Sequence, residues 1–181
     1  MNITVYLGSY KGDDPVLTTA VTELGTWIGR TGNTLIYGGS ASGLMGILAG
    51  ATLQAGGKVI GIEPQMFIDA VLQREDLTQL IVTKDMTERK TKMIELGDAF
   101  IAFPGGTGTL EEISEVMSKV SLNLLDAPCI LYDLNGYYAG LRQLLDHMVE
   151  MGLSTTERLK GISFCRNLDE IAAVIEKHKK D

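Results

Sequence analysis

The chain has 181 residues, of which 45% are hydrophobic and 22% charged, and its formal net charge is -7. That fits one globular domain able to bury about 70% of its unfolded surface. No apolar run approaches the roughly 20 residues of a membrane helix, and the negative charge argues against general affinity for nucleic acid or anionic membranes, which takes a basic surface. Cys129 and Cys165 are far apart and form no CxxC pair, while His147 and His178 stand alone, so neither a metal centre nor a disulfide framework is expected. Buried thiols and the absence of a signal-peptide pattern at the start point to the cytoplasm.

In chain order, strands are predicted over Ile3–Leu7, Thr34–Tyr37, Lys58–Ile62, Gln79–Thr83, Ala99–Phe103 and Cys129–Tyr132. Most are continuous Val/Ile/Leu/Phe runs, the pattern of strands covered on both faces. Helical periods fall between and after them, at about Pro15–Arg30, Leu44–Ala55, Gln65–Arg74, Thr87–Leu96, Leu110–Leu125, Tyr138–Met151 and Leu168–Lys179, with His178–Asp181 as a fraying end. The alternation predicts one doubly wound, Rossmann-like α/β domain with a mainly parallel sheet and helices on both faces. Ligands of such sheets bind outside the carboxyl ends of the strands. Three Gly- and Ser/Thr-rich loops lie there: Gly8-Ser9, Gly38–Gly43 and Pro104–Thr109.

The third loop, Pro-Gly-Gly-Thr-Gly-Thr-Leu-Glu-Glu over 104–112, joins a buried strand to a helix. Glycines bring bare N–H groups close to a ligand, and the helix N-terminus adds unpaired donors and partial positive charge, which suits phosphate. Tight turns also use glycine without any ligand. Glu111 replaces the third glycine of a GxGxxG fingerprint, disfavouring an ordinary NAD site. Gly38–Gly43 has Walker A spacing, but Leu44 and Met45 stand where Lys and Ser/Thr would hold phosphate and magnesium.

Glu112 has two readings. With Thr109 as N-cap it completes a capping box. On a wheel it lies with Glu115 and Lys119, opposite the stripe Leu110, Ile113, Val116, Met117, Val120 and Leu124, and near the anion donors it would face something that becomes positive. In the segment 85–96, Arg89 and Lys90 fall inside the apolar arc of Met86, Met93, Ile94 and Leu96. Either their stems snorkel at an element edge or Arg89 reaches into a cleft with its fork of donors. Phosphate donors, a carboxylate facing incipient positive charge and an inward Arg suit cleavage of a nucleotide's glycosidic bond, whose transition state is oxocarbenium-like. The carboxylate could stabilise the cation, hold ribose hydroxyls or activate water.

These residues resemble the Lonely Guy (LOG) family, cytokinin riboside 5′-monophosphate phosphoribohydrolases once labelled possible lysine decarboxylases. The resemblance rests on Val5–Ser9, Tyr37–Gly46, Gly57–Gly61, Met86–Lys90, Asp98–Glu112 with its PGGxGTxxE element, and Asn135–Tyr138. It implies a single domain over residues 1–181 and Arg89 and Glu112 as the catalytic pair. It implies phosphate binding by Gly105, Gly106, Gly108 and Thr109, and nucleotide contacts from Ser9, Gly39, Gly43, Met45 and Lys90. No cofactor or metal is implied; the partner is a small-molecule purine nucleotide, AMP or an N6-substituted relative, and the assembly a homodimer or larger, with the site near the subunit interface. Departures at Ser40, Ser42, Thr87, Ser118-Lys119 and Ser121-Leu122 bear on the base. Two rivals remain: a nucleotide-sensing module without turnover, and a pyridoxal-phosphate decarboxylase, for which Lys58 has no recognisable cofactor setting.

Overall fold

The computed structural model describes residues 1–70 and 72–179. Seven strands, β1 (Asn2–Tyr6), β2 (Thr34–Tyr37), β3 (Lys58–Pro64), β4 (Gln79–Thr83), β5 (Ala99–Ala102), β6 (Cys129–Tyr132) and β7 (Ile162–Cys165), form one sheet in the order β4-β3-β2-β1-β5-β6-β7. Every pairing is parallel, with Ile3 opposite Leu35 on one side and opposite Ala99 on the other. The chain runs outward from β1 to β4 and then returns to add β5 beside β1. The strand order therefore reverses between β1 and β5, which opens a crevice at their carboxyl ends.

The period of two along each strand builds two cores. Ile3, Val5 and Leu7 face α1 (Pro15–Arg30), α2 (Gly43–Gln54) and α8 (Leu168–His178), burying Val21, Leu24, Ile28, Leu48, Ile171 and Ile175. Tyr6, Phe100 and Ala102 face the other way, toward α4 (Met86–Leu96), α5 (Thr107–Ser121) and α6 (Ala139–Glu150), with Met93, Ile113, Val116 and Leu145. Two short helices, α3 (Gln65–Asp69) and α7 (Thr156–Leu159), and one 3-10 turn at Leu134–Gly136 complete the chain.

Helices α1 and α2 approach at Gly25 and Gly29. A Cβ on Gly25 would stand 2.6 Å from the Leu48 carbonyl oxygen, and one on Gly29 2.7 Å from the Thr52 carbonyl oxygen. Neither backbone can yield without parting the helices. Gly25→Val is expected to lower unfolding stability by about 3 kcal/mol, read from the urea midpoint at unchanged slope.

Several expected boundaries shift. Strand β3 runs past its expected end at Ile62 through Glu63 and Pro64, paired with Val82 and Thr83. Helix α3 ends at Asp69 instead of Arg74; residue 71 of that expected span lies outside the described residues. Beyond it Ala41 donates its N–H to the Leu72 carbonyl at 2.9 Å and Arg74 donates to the Gly39 carbonyl at 3.0 Å, so backbone bonding to the loop after β2 replaces helix. Helix α5 begins at Thr107 and ends at Ser121, three residues earlier at its start than its apolar period, and Leu110 and Leu124 of the expected stripe are exposed. Strand β7 and helix α7, four residues each, lie outside the expected elements. Helix α8 ends at His178 with Lys179 as its cap; the rest of the expected fraying end, residues 180 and 181, lies outside the described residues.

Candidate active site

The three glycine-rich loops meet at the β1/β5 crevice. A Cβ on Gly43, whose φ of +56° already favours glycine, would strike the Ser9 carbonyl. One on Gly105 would come to 3.0 Å from the Gly8 nitrogen and into the Thr109 hydroxyl. Gly38 packs against the Arg89 guanidinium, and a Cβ there would also stand 3.0 Å from the Met45 sulfur. Ser9, Gly43, Met45, Arg89, Gly105 and Thr109, with Gly39 next to Gly38, are thereby gathered from the ends of β1, β2 and β5 and from α2, α4 and α5.

Gly106 is the N-cap of α5 and offers no side-chain cap, so the N–H groups of Thr107, Gly108 and Thr109 lack intrahelical acceptors. A Cβ on Gly106 or Gly108 would meet nothing within 4 Å. The protein's own packing leaves these two positions bare on the open side, as an anion cradle requires. The expected capping box at Thr109 and Glu112 does not form, because Thr109 already lies inside the first turn and is buried. A reciprocal cap does form one helix earlier: the N-cap Asp85 accepts from the Glu88 N–H at 2.8 Å, and Glu88 accepts from the N–H of Lys84, just before the cap, at 2.7 Å.

Released from capping, Glu112 sits in the second turn, 8% exposed, and its Oε1 accepts from Arg89 Nη1 at 2.7 Å. Arg89 is 7% exposed and anchored by its Nε, which donates to the Ile62 carbonyl at 3.0 Å. The snorkelling reading fails for Arg89: its guanidinium crosses the strand ends inside the protein. Burial pushes the Glu112 carboxyl above the usual carboxylate range, with the Arg89 charge pulling the other way. Tyr6, at the end of β1, walls this pair, its hydroxyl raised by burial and by Glu112. Lys90 lies nearer the lip, bonded to Glu111 at 2.6 Å, with Glu115 at 3.9 Å and the expected Glu115–Lys119 pair at 3.7 Å alongside.

Sequence reasoning missed the braces of the cradle. Tyr137 donates its hydroxyl to the Gly105 carbonyl at 2.5 Å, and Tyr138 donates to the Phe103 carbonyl at 3.0 Å. Asp133 holds this corner by accepting the Tyr138 N–H at 2.7 Å. Residues 135–138 carried only a family resemblance, because nothing in one dimension shows that a tyrosine pair returns to a loop 32 residues earlier. Glu63, buried at the end of β3, was also missed.

A parallel doubly wound sheet, a bare helix N-terminus at its switch point and a buried Arg–carboxylate pair beside it define a nucleotide-binding α/β protein of enzyme type. Residues 45–175 match the family model whose description is "Possible lysine decarboxylase". A cytokinin riboside 5′-monophosphate phosphoribohydrolase of Rhodococcoides fascians is 38% identical over 176 residues, covering 96% of this chain and 88% of that protein. One from Arabidopsis thaliana is 34% identical over 177 residues, covering 98% and 78%. The chain belongs to this family, the LOG phosphoribohydrolases, whose named members are enzymes that cleave an N-glycosidic bond. The fold alone is shared more widely: the molybdenum cofactor carrier protein of Chlamydomonas reinhardtii is 19% identical with a TM-score of 0.72 over 99% of this chain and 98% of that one.

The decarboxylase wording implies pyridoxal phosphate, and the residues do not fit it. A Schiff-base lysine must shed its charge, whereas Glu111 holds the Lys90 ammonium charged. Lys58 is exposed at the opening residue of β3, at the far end of the sheet from the crevice.

Proposed function

We propose that this protein hydrolyses the N-glycosidic bond of purine nucleoside 5′-monophosphates, AMP or N6-substituted relatives, to free base and ribose 5-phosphate. The observation that carries the reading is the buried Arg89–Glu112 pair at 2.7 Å beside the bare N-terminus of α5. In this reading the phosphate rests on the N–H groups of Gly105, Gly106, Gly108 and Thr109 with Lys90 at the lip, and Ser9, Gly39, Gly43 and Met45 line the nucleotide. The C1′–N bond breaks with its electron pair leaving on the base, positive charge develops at C1′, and Glu112 faces that charge. Water oxygen bonds to C1′ and its proton goes to the departing base. Arg89 holds the Glu112 carboxylate in place and offers a further donor arm to the ligand.

Support for substrate class comes from the relatives, and support for a catalytic rather than merely sensing role comes from the carboxylate at the ribose end, for which a pure binder has little use. We assign the protein to a reducing cytoplasm, in keeping with its two buried free thiols. We also assign a homodimer or larger assembly, consistent with exposed Met66, Val82 and Leu110 on α3, β4 and α5; light scattering in solution tests it, and a monomer would refute it. Incubation with AMP and with N6-isopentenyl-AMP should release free base and ribose 5-phosphate in equal amounts. Release of neither base defeats the reading.

A further inference from the structure

Glu63 is the most anomalous side chain outside the Arg89–Glu112 pair. It is the next-to-last residue of β3, only 1% exposed, and its Oε2 is buried with no hydrogen-bond partner among the described residues. Buried polar atoms are nearly always partnered, because an orphan carries its full desolvation cost. Strand alternation puts Glu63 on the same face as Val59, beneath the loop after β2. There it packs on Gly39: a Cβ on Gly39 would stand 3.0 Å from both the Glu63 Cβ and Oε2. The adjoining Gly38 touches Arg89, and the residue before Glu63 supplies the carbonyl that anchors Arg89. Arg89 spends Nε on Ile62 and Nη1 on Glu112, while Nη2 lies against Gly38 and makes no hydrogen bond within the described residues. A carboxyl and a free donor arm thus stand on either side of one glycine turn.

We propose that Glu63 is a positioning residue that acts through Arg89 and the Gly38-Gly39 turn, and that its protonation governs how tightly the cleft holds an anionic nucleotide. The proposal rests on the nucleotide reading above. The groups facing Glu63 are Arg89 from α4 and the Tyr37 hydroxyl from β2, with Arg74 and Asp76 of the segment after α3 behind Tyr37. Burial pushes the Glu63 carboxyl up to about 7, against the pull of Arg89. Protonated, Glu63 leaves Arg89 to Glu112 and the ligand. Ionised, it presents a second anion to Arg89 across the Gly38-Gly39 turn and offsets the positive charge that Arg89 offers an anionic ligand. Nucleotide affinity then falls as pH rises through neutrality.

Two measurements decide this. In protein labelled with carbon-13 at the glutamate carboxyls, one resonance should titrate near pH 7, disappear in Glu63→Gln, and move to higher pH in Arg89→Gln. Absence in wild type of any glutamate carboxyl that titrates near pH 7 overturns the proposal without any need for the Glu63 variant to fold, and indifference of the assigned resonance to Arg89→Gln overturns it as well. The KM for AMP in wild type should rise about tenfold relative to that of Glu63→Gln between about pH 6 and pH 8, with little change in the kcat ratio. Comparison with the variant cancels the phosphate's own ionisation. Turnover with a KM ratio flat in pH overturns the proposal alone; failure of wild type to bind or cleave both AMP and N6-isopentenyl-AMP overturns the nucleotide reading and the proposal with it.

Discussion

Glu112→Gln is expected to slow nucleotide hydrolysis by about 10² to 10⁴ while nucleotide binding changes by less than about threefold. Glutamine keeps the size of the side chain and an oxygen able to accept from Arg89 Nη1, so the pair's geometry at 2.7 Å survives. What is lost is the negative charge that opposes the cation developing at C1′. That charge matters because Glu112 is buried, where screening by water is weak. Single-turnover rates and calorimetric binding of AMP separate the two effects. Turnover within tenfold of wild type would remove Glu112 from the chemistry, and binding lost together with turnover would make it a structural residue.

Arg89→Ala is expected to cost about 3 to 5 kcal/mol of folding stability at pH 8, because it strands a buried carboxylate. The loss should depend on pH, with a sign that follows from linkage. Arg89 lowers the Glu112 pKa against a larger raising by burial, so its removal drives the folded-state value still further above the unfolded one. Below the unfolded value both states carry the proton and only packing is lost. As pH rises between the two values the folded state holds a proton that the unfolded state has released, and stability falls; above the higher value the penalty is complete. Urea midpoints should therefore differ little between variant and wild type at about pH 5 and widely at about pH 8. An equal deficit at both would mean that Glu112 does not depend on Arg89 for its charge.

Most of the candidate site was legible in sequence patterns because its parts repeat elementary physics. Four-to-seven-residue apolar runs alternating with helical periods are enough for a parallel sheet with two helix layers, and glycines at strand ends are enough for loops that can approach a ligand. The inward placement of Arg89 was visible on a helical wheel as a cation in an apolar arc. Its partner was not. Glu112 lies on its own wheel with Glu115 and Lys119 and carried two readings, a cap or a carboxylate facing incipient positive charge; the start of α5 at Thr107 removes the first, and the tertiary contact with Arg89 buries it. Glu63 was hidden for the opposite reason: a charged residue followed by proline reads as the end of a strand, while pairing with β4 carries β3 on through both.

The sequence by itself determined the fold class, the three loops and the residue types of the cradle, since these depend on local periodicity and on backbone freedom. Tertiary structure alone decided which side chains meet. Arg89 and Glu112, 23 residues apart, come within 2.7 Å because β1 and β5 lie side by side at the reversal of strand order. The pairing of Tyr137 with Gly105 and the burial of Glu63 under Gly39 likewise follow from strand neighbours distant in sequence. Long-range contact and desolvation set the charge state of these groups, and neither leaves a periodic mark along the chain.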